Sequence, residues 1–343
     1  MDYKKFLIVR LDKVGDVVLS TPVIKALRDA RPDAYIAFMV EDYAGDVIKG
    51  NPYLDQVIVY HKNDEGKSLV GNLNFINKLR SFRFDAALIL HPTSRSHLLV
   101  FLAGIPVRIG YNRKSPFLLT RKIPHTKQLG EKHEAEYALD MLREIGVEPK
   151  ECKLHVPLHK TSEEKITYIF KQNEIKKKDV VITLHPGASC PSKRWPPQNF
   201  VKVADHLTER HKARIVIIAG PDDKATGDEV ARAMKEKPLN LSGITTVGDL
   251  ASILVRSKLF ISNDSGPVHI ASAVGTPSVV IFGRKDAGLS PKRWGPTGER
   301  DIVLHKDAGC PKCLAHECKV GFKCLEAITP DEVIAAAEQL LAQ

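Results

Sequence analysis

Short apolar runs, almost uninterrupted by polar residues, recur along this chain with stretches of helical periodicity between them. In a first series the runs are Phe6-Leu7-Ile8-Val9, Ala34 to Val40, Val57 to Tyr60 and Ala86 to Leu90, with helical stretches from about Asp16 to Ala30 and from Leu69 to Ser81. In a second series the runs are Val180 to Leu184, Ile215 to Ala219, Leu259 to Ile261 and Ser278 to Phe282. Helical stretches accompany these at Asn199 to Arg210, Asp223 to Lys235, Val247 to Arg256 and Val268 to Val274. A last one runs from about Pro330 to Leu341, with proline at its start. A strand with one face in water alternates apolar and polar residues, whereas a strand covered on both faces does not. The runs therefore predict α/β architecture, with parallel sheets flanked by helices on both faces.

The two series predict two Rossmann-like doubly wound domains facing each other across a cleft, and 343 residues is long enough for both. The expected boundaries are 1–160 for the first domain and 161–178 for a charged helix and linker that includes Lys176-Lys177-Lys178. The second domain is expected at 179–325 and the C-terminal helix at 326–343. In such sheets ligands bind beyond the carboxyl ends of the strands, so the loops that follow strands carry the chemistry.

Composition narrows the partners. No apolar run approaches the roughly 20 residues that span a bilayer. The opening run is cut by Arg10 and Asp12, too early for a signal-peptide core, which places the expected protein in the cytoplasm. The net charge of +10 points to an anionic partner or to a generally basic surface. No Asp or Glu falls between Asp85 and Glu131, a stretch that holds Arg95, Arg108, Arg113, Lys114, Arg121, Lys122 and Lys127 as well as His91, His97 and His125. Its aromatics, Phe101, Tyr111 and Phe117, are scattered rather than interleaved, which argues against nucleic acid.

Three loops stand out. After the first strand comes Leu11-Asp12-Lys13-Val14-Gly15-Asp16, which is neither a dinucleotide fingerprint nor a P-loop. Gly15 lets backbone approach a ligand, and Asp16 is either a helix N-cap or a carboxylate able to act as general base. After Leu184 comes His185-Pro186-Gly187-Ala188-Ser189-Cys190-Pro191-Ser192-Lys193-Arg194-Trp195-Pro196. It reads either as an ordinary polar loop or as a diphosphate cradle in which Ser189 and Lys193 supply donors. After Ile261 comes Ser262-Asn263-Asp264-Ser265-Gly266-Pro267-Val268-His269, a turn into an apolar helix. A helix N-terminus offers unpaired N–H groups and partial positive charge to a phosphate, with Ser265, Gly266 and His269 within reach. In Gly220-Pro221-Asp222-Asp223 a carboxylate either receives ribose hydroxyls or caps a helix. Cys310, Cys313, Cys318 and Cys324 have spacing suited to a structural zinc, with reduced thiols or local disulfides as alternatives.

At these residues the chain resembles glycosyltransferase family 9, the heptosyltransferases of lipopolysaccharide core assembly. The matching pieces are Ile8 through Asp16, His185-Pro186-Gly187-Ala188 through Lys193-Arg194-Trp195-Pro196, and Asp264 through Ala271. The segment Gly309-Cys310-Pro311-Lys312-Cys313 with its later cysteines, and Ile328-Thr329-Pro330-Asp331-Glu332-Val333, also match. The resemblance implies a GT-B fold, an ADP-heptose donor and an inverting transfer that needs no metal or other cofactor. It puts the catalytic base on Asp16 and the phosphate contact on Lys193. The donor loop falls on Asp264, Ser265 and Gly266 with His269, and the ribose contact on Asp222 or Asp223. Acceptor binding is expected of Lys13, Arg95 and Arg113, toward an anionic Kdo or lipid A core at the inner membrane surface, with the protein a peripheral monomer. Competing expectations are a transferase or epimerase using another nucleotide sugar, and a non-catalytic nucleotide-sugar-binding protein.

Overall fold

A computed structural model describes residues 3–310, 313 and 318–343; Met1, Asp2, the Pro311-Lys312 pair of the cysteine segment and residues 314–317 lie outside the described residues. The chain forms two compact units, Met1–Pro157 and Leu158–Gln343.

The first unit is built on strands β1 (Lys5–Arg10), β2 (Tyr35–Glu41), β3 (Gln56–Tyr60), β4 (Ala86–Ile89), β5 (Val107–Tyr111) and β6 (Arg121–Ile123). They lie in the order β3-β2-β1-β4-β5-β6, with every neighbouring pair parallel. Helices α1 (Val14–Val18), α2 (Thr21–Ala30), α3 (Leu69–Phe82), α4 (Ser94–Leu102) and α5 (Glu134–Arg143) connect and cover the sheet. The single helical stretch expected from Asp16 to Ala30 is two helices. Pro22 stands near the start of the second, where its missing N–H costs nothing, and that same lack ends the first helix's ladder.

The second unit opens with α6 (Lys160–Gln172), which packs on α9 (Val247–Leu254) and pairs Lys165 with Asp249 at 2.5 Å. Its strands are β7 (Val181–His185), β8 (Arg214–Ile217), β9 (Leu239–Asn240), β10 (Leu259–Asn263), β11 (Ser278–Phe282) and β12 (Asp301–His305), in the order β12-β11-β10-β7-β8-β9. Helices α7 (Pro197–His211), α8 (Lys224–Ala233), α10 (Gly266–Val274) and α13 (Pro330–Leu341) cover it, and short α11 (Pro291–Trp294) and α12 (Lys323–Glu326) lie in the connections. Thr329 and Glu332 close a capping box on α13, which packs on α7.

Read in chain order within each unit, both sheets have strand order 3-2-1-4-5-6. Strand order then reverses between β1 and β4 in one unit and between β7 and β10 in the other. The loops leaving those strands diverge to opposite faces and open a crevice at the sheet edge. Cores of Leu7, Val9, Met39, Phe75 and Leu99 in the first unit, and of Leu184, Trp195, Phe200, Ile261 and Val333 in the second, fix these edges.

Candidate functional site

In the first unit the crevice is a buried ionic cluster. Arg10, the last residue of β1, is 2% exposed. Its Nε donates to Asp12 Oδ1 at 2.8 Å, its Nη2 to Asp16 Oδ1 at 2.5 Å, and its Nη1 to Glu134 Oε1 at 3.2 Å. Lys127 Nζ donates to the same Glu134 oxygen at 2.6 Å and sits 4.5 Å from the centre of the Tyr111 ring. Three carboxylates thus share two cations. Burial pulls the Arg10 guanidinium down, but Asp12, Asp16 and Glu134 outweigh it and hold it well above its usual range. Burial pushes the Asp12 carboxyl up to about 7 against the pull of Arg10, and the charge of Asp16 adds to the rise. His91, in the loop after β4, has Nδ1 3.3 Å from Asp12 Oδ2. Burial and then Arg10 push its imidazole down to about 4, so it is neutral at pH 7.

Asp16 is the third residue of α1, and the N-cap position belongs to Lys13. The carboxylate therefore caps nothing. Arg10 turns it into the cluster while 17% of the side chain remains accessible. A carboxylate pinned by a buried guanidinium and open on one side has the geometry of a general base.

The crevice of the second unit has the opposite charge balance. Asn263, at the end of β10, donates through Nδ2 to the carbonyls of Pro186 and Gly187 at 2.7 and 3.3 Å and accepts from the Trp195 N–H at 3.0 Å. One buried amide thus staples the loop after β7 to the loop after β10. Trp195 is anchored in turn by its indole N–H on the Ile328 carbonyl at 2.9 Å. This brings Lys193 Nζ to 3.0 Å from Asp264 Oδ2, and Arg284 Nη2 donates to the same oxygen at 2.9 Å. Two cations share one carboxylate. Burial lowers the Lys193 ammonium, with Asp264 pulling the other way and Arg284 adding to the fall.

Ser265 occupies the N-cap of α10 without a side-chain cap bond; its hydroxyl lies 3.1 Å from His185 Nδ1. Burial pushes His185 down to about 4, so its neutral ring can accept that hydroxyl proton. Pro267 has no N–H and the Val268 N–H donates to the Ser265 carbonyl at 3.1 Å, so in the first turn the Gly266 N–H is the donor left to an external acceptor. His269 is buried in the same turn. Ser189 is exposed on the loop after β7.

Asp223 also turns toward that loop. It accepts from Arg194 Nη2 at 2.9 Å, and a Cβ on Gly187 would stand 2.8 Å from its carboxylate. It occupies the N-cap of α8 but makes no cap bond there, and Asp222 is exposed. Burial raises the Asp223 carboxyl, with Arg194 opposing.

The basic stretch divides. Lys13, Arg95 and Arg113 are exposed, with Arg113 Nη1 3.4 Å from His125 Nε2. Lys127 is buried on Glu134 and His97 is fully buried, so neither belongs to an accessible positive face. The cysteines are free. Cys310, Cys313, Cys318 and Cys324 line one cavity of about 310 Å³ together with Ser192 and Arg284. Burial raises the Cys324 thiol, and the charges of Cys313 and Cys318 add to the rise. Thiols suit a thiophilic ion chemically, but among the described residues no group of three or more His, Cys, Asp or Glu is placed to hold one.

Sequence reasoning gave no site role to Arg10, Asp12, Glu134, His185 or Arg284, and counted Lys127 with the basic stretch. Arg284 follows β11 and could have been found by the post-strand rule that singled out the other loops. Arg10 and Glu134 meet across 124 residues, which no local pattern records.

The profile of glycosyltransferase family 9 (heptosyltransferase) matches residues 72–323. Lipopolysaccharide heptosyltransferase 3 of Escherichia coli (strain K12) is 27% identical over 95% of this chain and 95% of its own length. The crystal structure of the glycosyl transferase family 9 from Veillonella parvula DSM 2008 superposes with a TM-score of 0.90 at 27% identity, covering 100% of this chain and 98% of that one. The structure of E. coli ADP-heptose lps heptosyltransferase II superposes with a TM-score of 0.81 at 23% identity, over 99% of each chain, and shares the GT-B fold. The chain belongs to glycosyltransferase family 9, the heptosyltransferases.

Proposed function

We propose that the protein transfers heptose from ADP-heptose to an anionic lipopolysaccharide inner-core acceptor, Kdo- or heptosyl-lipid A, with inversion at the anomeric carbon and without a metal. The observation that carries this reading is the opposed charge of the two crevices. Three carboxylates surround two cations at Asp16, while two cations surround one carboxylate at Asp264. The names of its relatives supply the donor and the acceptor class.

Asp16 takes the proton of the acceptor hydroxyl as that oxygen bonds to the anomeric carbon. The bond from that carbon to the diphosphate breaks on the opposite face, and the electron pair leaves with the diphosphate. Lys193, Arg284 and the Gly266 N–H at the start of α10 receive the growing charge, in place of a metal. Asp264 holds the two cations in position, and Asp223 with Ser189 contacts the nucleoside and phosphate. Lys13, Arg95 and Arg113 meet the acceptor's anionic groups.

The test is a panel of ADP-heptose, UDP-N-acetylglucosamine and GDP-mannose, each offered with Kdo-lipid A and with heptosylated acceptors. Product mass and anomeric configuration are read. Transfer of heptose with inverted configuration, undiminished by chelator, is the expected result. Transfer from another donor, or donor binding without turnover on any acceptor, would replace this reading.

A further inference from the structure

Between Glu65 and Glu131 the chain has a single acidic residue, Asp85, and eleven Lys or Arg. That segment alone carries a net charge of +10, equal to the net charge of the whole chain. Asp85 is spent on the backbone N–H groups of Lys4 and Lys5. Lys67, Arg95, Arg113 and Lys114 are exposed and make no ion pair among the described residues.

The same segment exposes apolar side chains where a water-facing surface should be polar. Helix α4 buries Ser96 and His97 and turns Leu98, Phe101 and Leu102 outward, at the i, i+3, i+4 spacing of one face. At the start of α3, Leu69 is 80% exposed and Val70 and Leu73 are also exposed; Phe117, in the turn Pro116–Leu118, is 76% exposed. These sites adjoin. Helix α3 packs on α4, Arg80 Nη2 reaches the Leu102 carbonyl at 2.8 Å, and the Pro116–Leu118 turn packs on α4. Arg108 stacks over the Phe101 ring at 5.3 Å. Apolar residues alone would fit a second copy of the chain, and cations alone would fit any polyanion. Apolar side chains set among unpaired cations fit an interface that is greasy within and negative at its surface.

We propose that this face of the first unit, centred on α4 and Phe117, docks on an anionic phospholipid bilayer. Leu98, Phe101 and Phe117 enter the acyl boundary while Lys67 and Lys114 meet headgroup phosphates. No described helix is long and apolar enough to cross a membrane, so a lipid acceptor must be met at the bilayer surface. The inference rests on the preceding reading only in taking the acceptor to be a lipid.

The test uses the full chain and vesicles of phosphatidylcholine with or without phosphatidylglycerol. The wild type is expected to co-sediment with the phosphatidylglycerol vesicles, less as salt rises. The triple variant Leu98→Ser, Phe101→Ser, Phe117→Ser is expected to bind about tenfold or more weakly, since each lost apolar side chain forfeits its burial. These positions are exposed, so the fold should survive, and turnover on a lipid-free acceptor saccharide should be unchanged. As a second probe, Phe117→Trp should shift its emission to the blue on anionic vesicles and be quenched by brominated lipid. Equal vesicle binding by wild type and triple variant, or no binding by either, overturns the proposal. So does a wild-type dimer that the triple variant dissolves, which would give the face to a second copy. A failed donor panel with intact vesicle binding would instead sink only the transfer reading.

Discussion

The two units share one strand order and place a crevice at the same point of it, yet they load those crevices in opposite ways. Around Arg10 three carboxylates compete for two cations, and around Asp264 two cations compete for one carboxylate. Buried charges persist only where partners hold them, so an imbalance left in a buried cluster marks what the site is prepared to receive. The first unit has room for a proton, and the second for an anion.

The largest effect expected from disturbing this contrast, apart from loss of the base itself, is in the second unit. Lys193→Met removes one of the two cations but leaves Arg284 on Asp264, so the loop keeps its anchor. Loss of a charge contact to a leaving group is expected to lower kcat by roughly 100- to 1,000-fold. Donor affinity should fall as well, because the ground-state diphosphate is already charged. Steady-state kinetics with ADP release as the readout check both; an unchanged kcat would remove Lys193 from the leaving-group site.

The strands and loops that carry this contrast are legible in the sequence, though its charge balance is not. The apolar runs located the central strands, because a strand buried on both faces writes itself as an unbroken run. Small residues and charges after those strands located Asp16, Lys193 and Asp264. The outer elements were not legible. β5 reads Val-Arg-Ile-Gly-Tyr and β6 Arg-Lys-Ile, where cations and a glycine blur the run. α4 was hidden because its outward face is as apolar as its inward one. Arg10 looked like the end of an apolar run and is instead the hub of the first crevice, since two of its three carboxylate partners come from α1 and α5. Asp223 reads in the sequence equally as a cap and as a ribose contact; it makes no cap bond and pairs with Arg194 from a distant loop.

A smaller effect sharpens the first unit's side of the comparison. The Asp12 carboxyl sits at about 7 in the fold, above its ordinary 3.8. Groups facing it are Arg10 from β1, Asp16 from α1, His91 from the loop after β4 and Glu134 from α5, with the Tyr43 hydroxyl donating to its carbonyl. A raised folded value means that the protonated form favours the fold. That contribution is complete below 3.8 and is lost as pH rises through about 7. Asp12→Asn abolishes this titration. Its Tm relative to wild type should therefore rise between about pH 4 and about pH 7, the interval between the ordinary and the folded value of Asp12, while the His91 contribution is common to both proteins. A difference in Tm that stays flat across the window would show that the cluster carries no excess negative charge.

The smallest effect concerns the scaffold of the second crevice. Trp195→Phe keeps most of the packing against Phe200 but leaves the Ile328 carbonyl without its indole donor. The expected loss of stability is about 1–3 kcal/mol by denaturant unfolding, with kcat for transfer changed far less. A larger loss of kcat than of stability would mean that Trp195 positions Lys193 more directly than the hydrogen bond to Ile328 requires.

The contrast between a crevice that takes a proton and one that holds an anion is tested most directly by Asp16→Asn, with kcat for transfer and the Kd for ADP-heptose measured on the same preparation. The side chain keeps its size and can still meet Arg10, but it cannot accept the acceptor's proton. The account predicts a fall in kcat of roughly 100- to 10,000-fold with a donor Kd close to that of wild type, because the donor's diphosphate is held by the other unit. A variant that turns over at the wild-type rate, or one whose loss lies wholly in donor affinity, would contradict it.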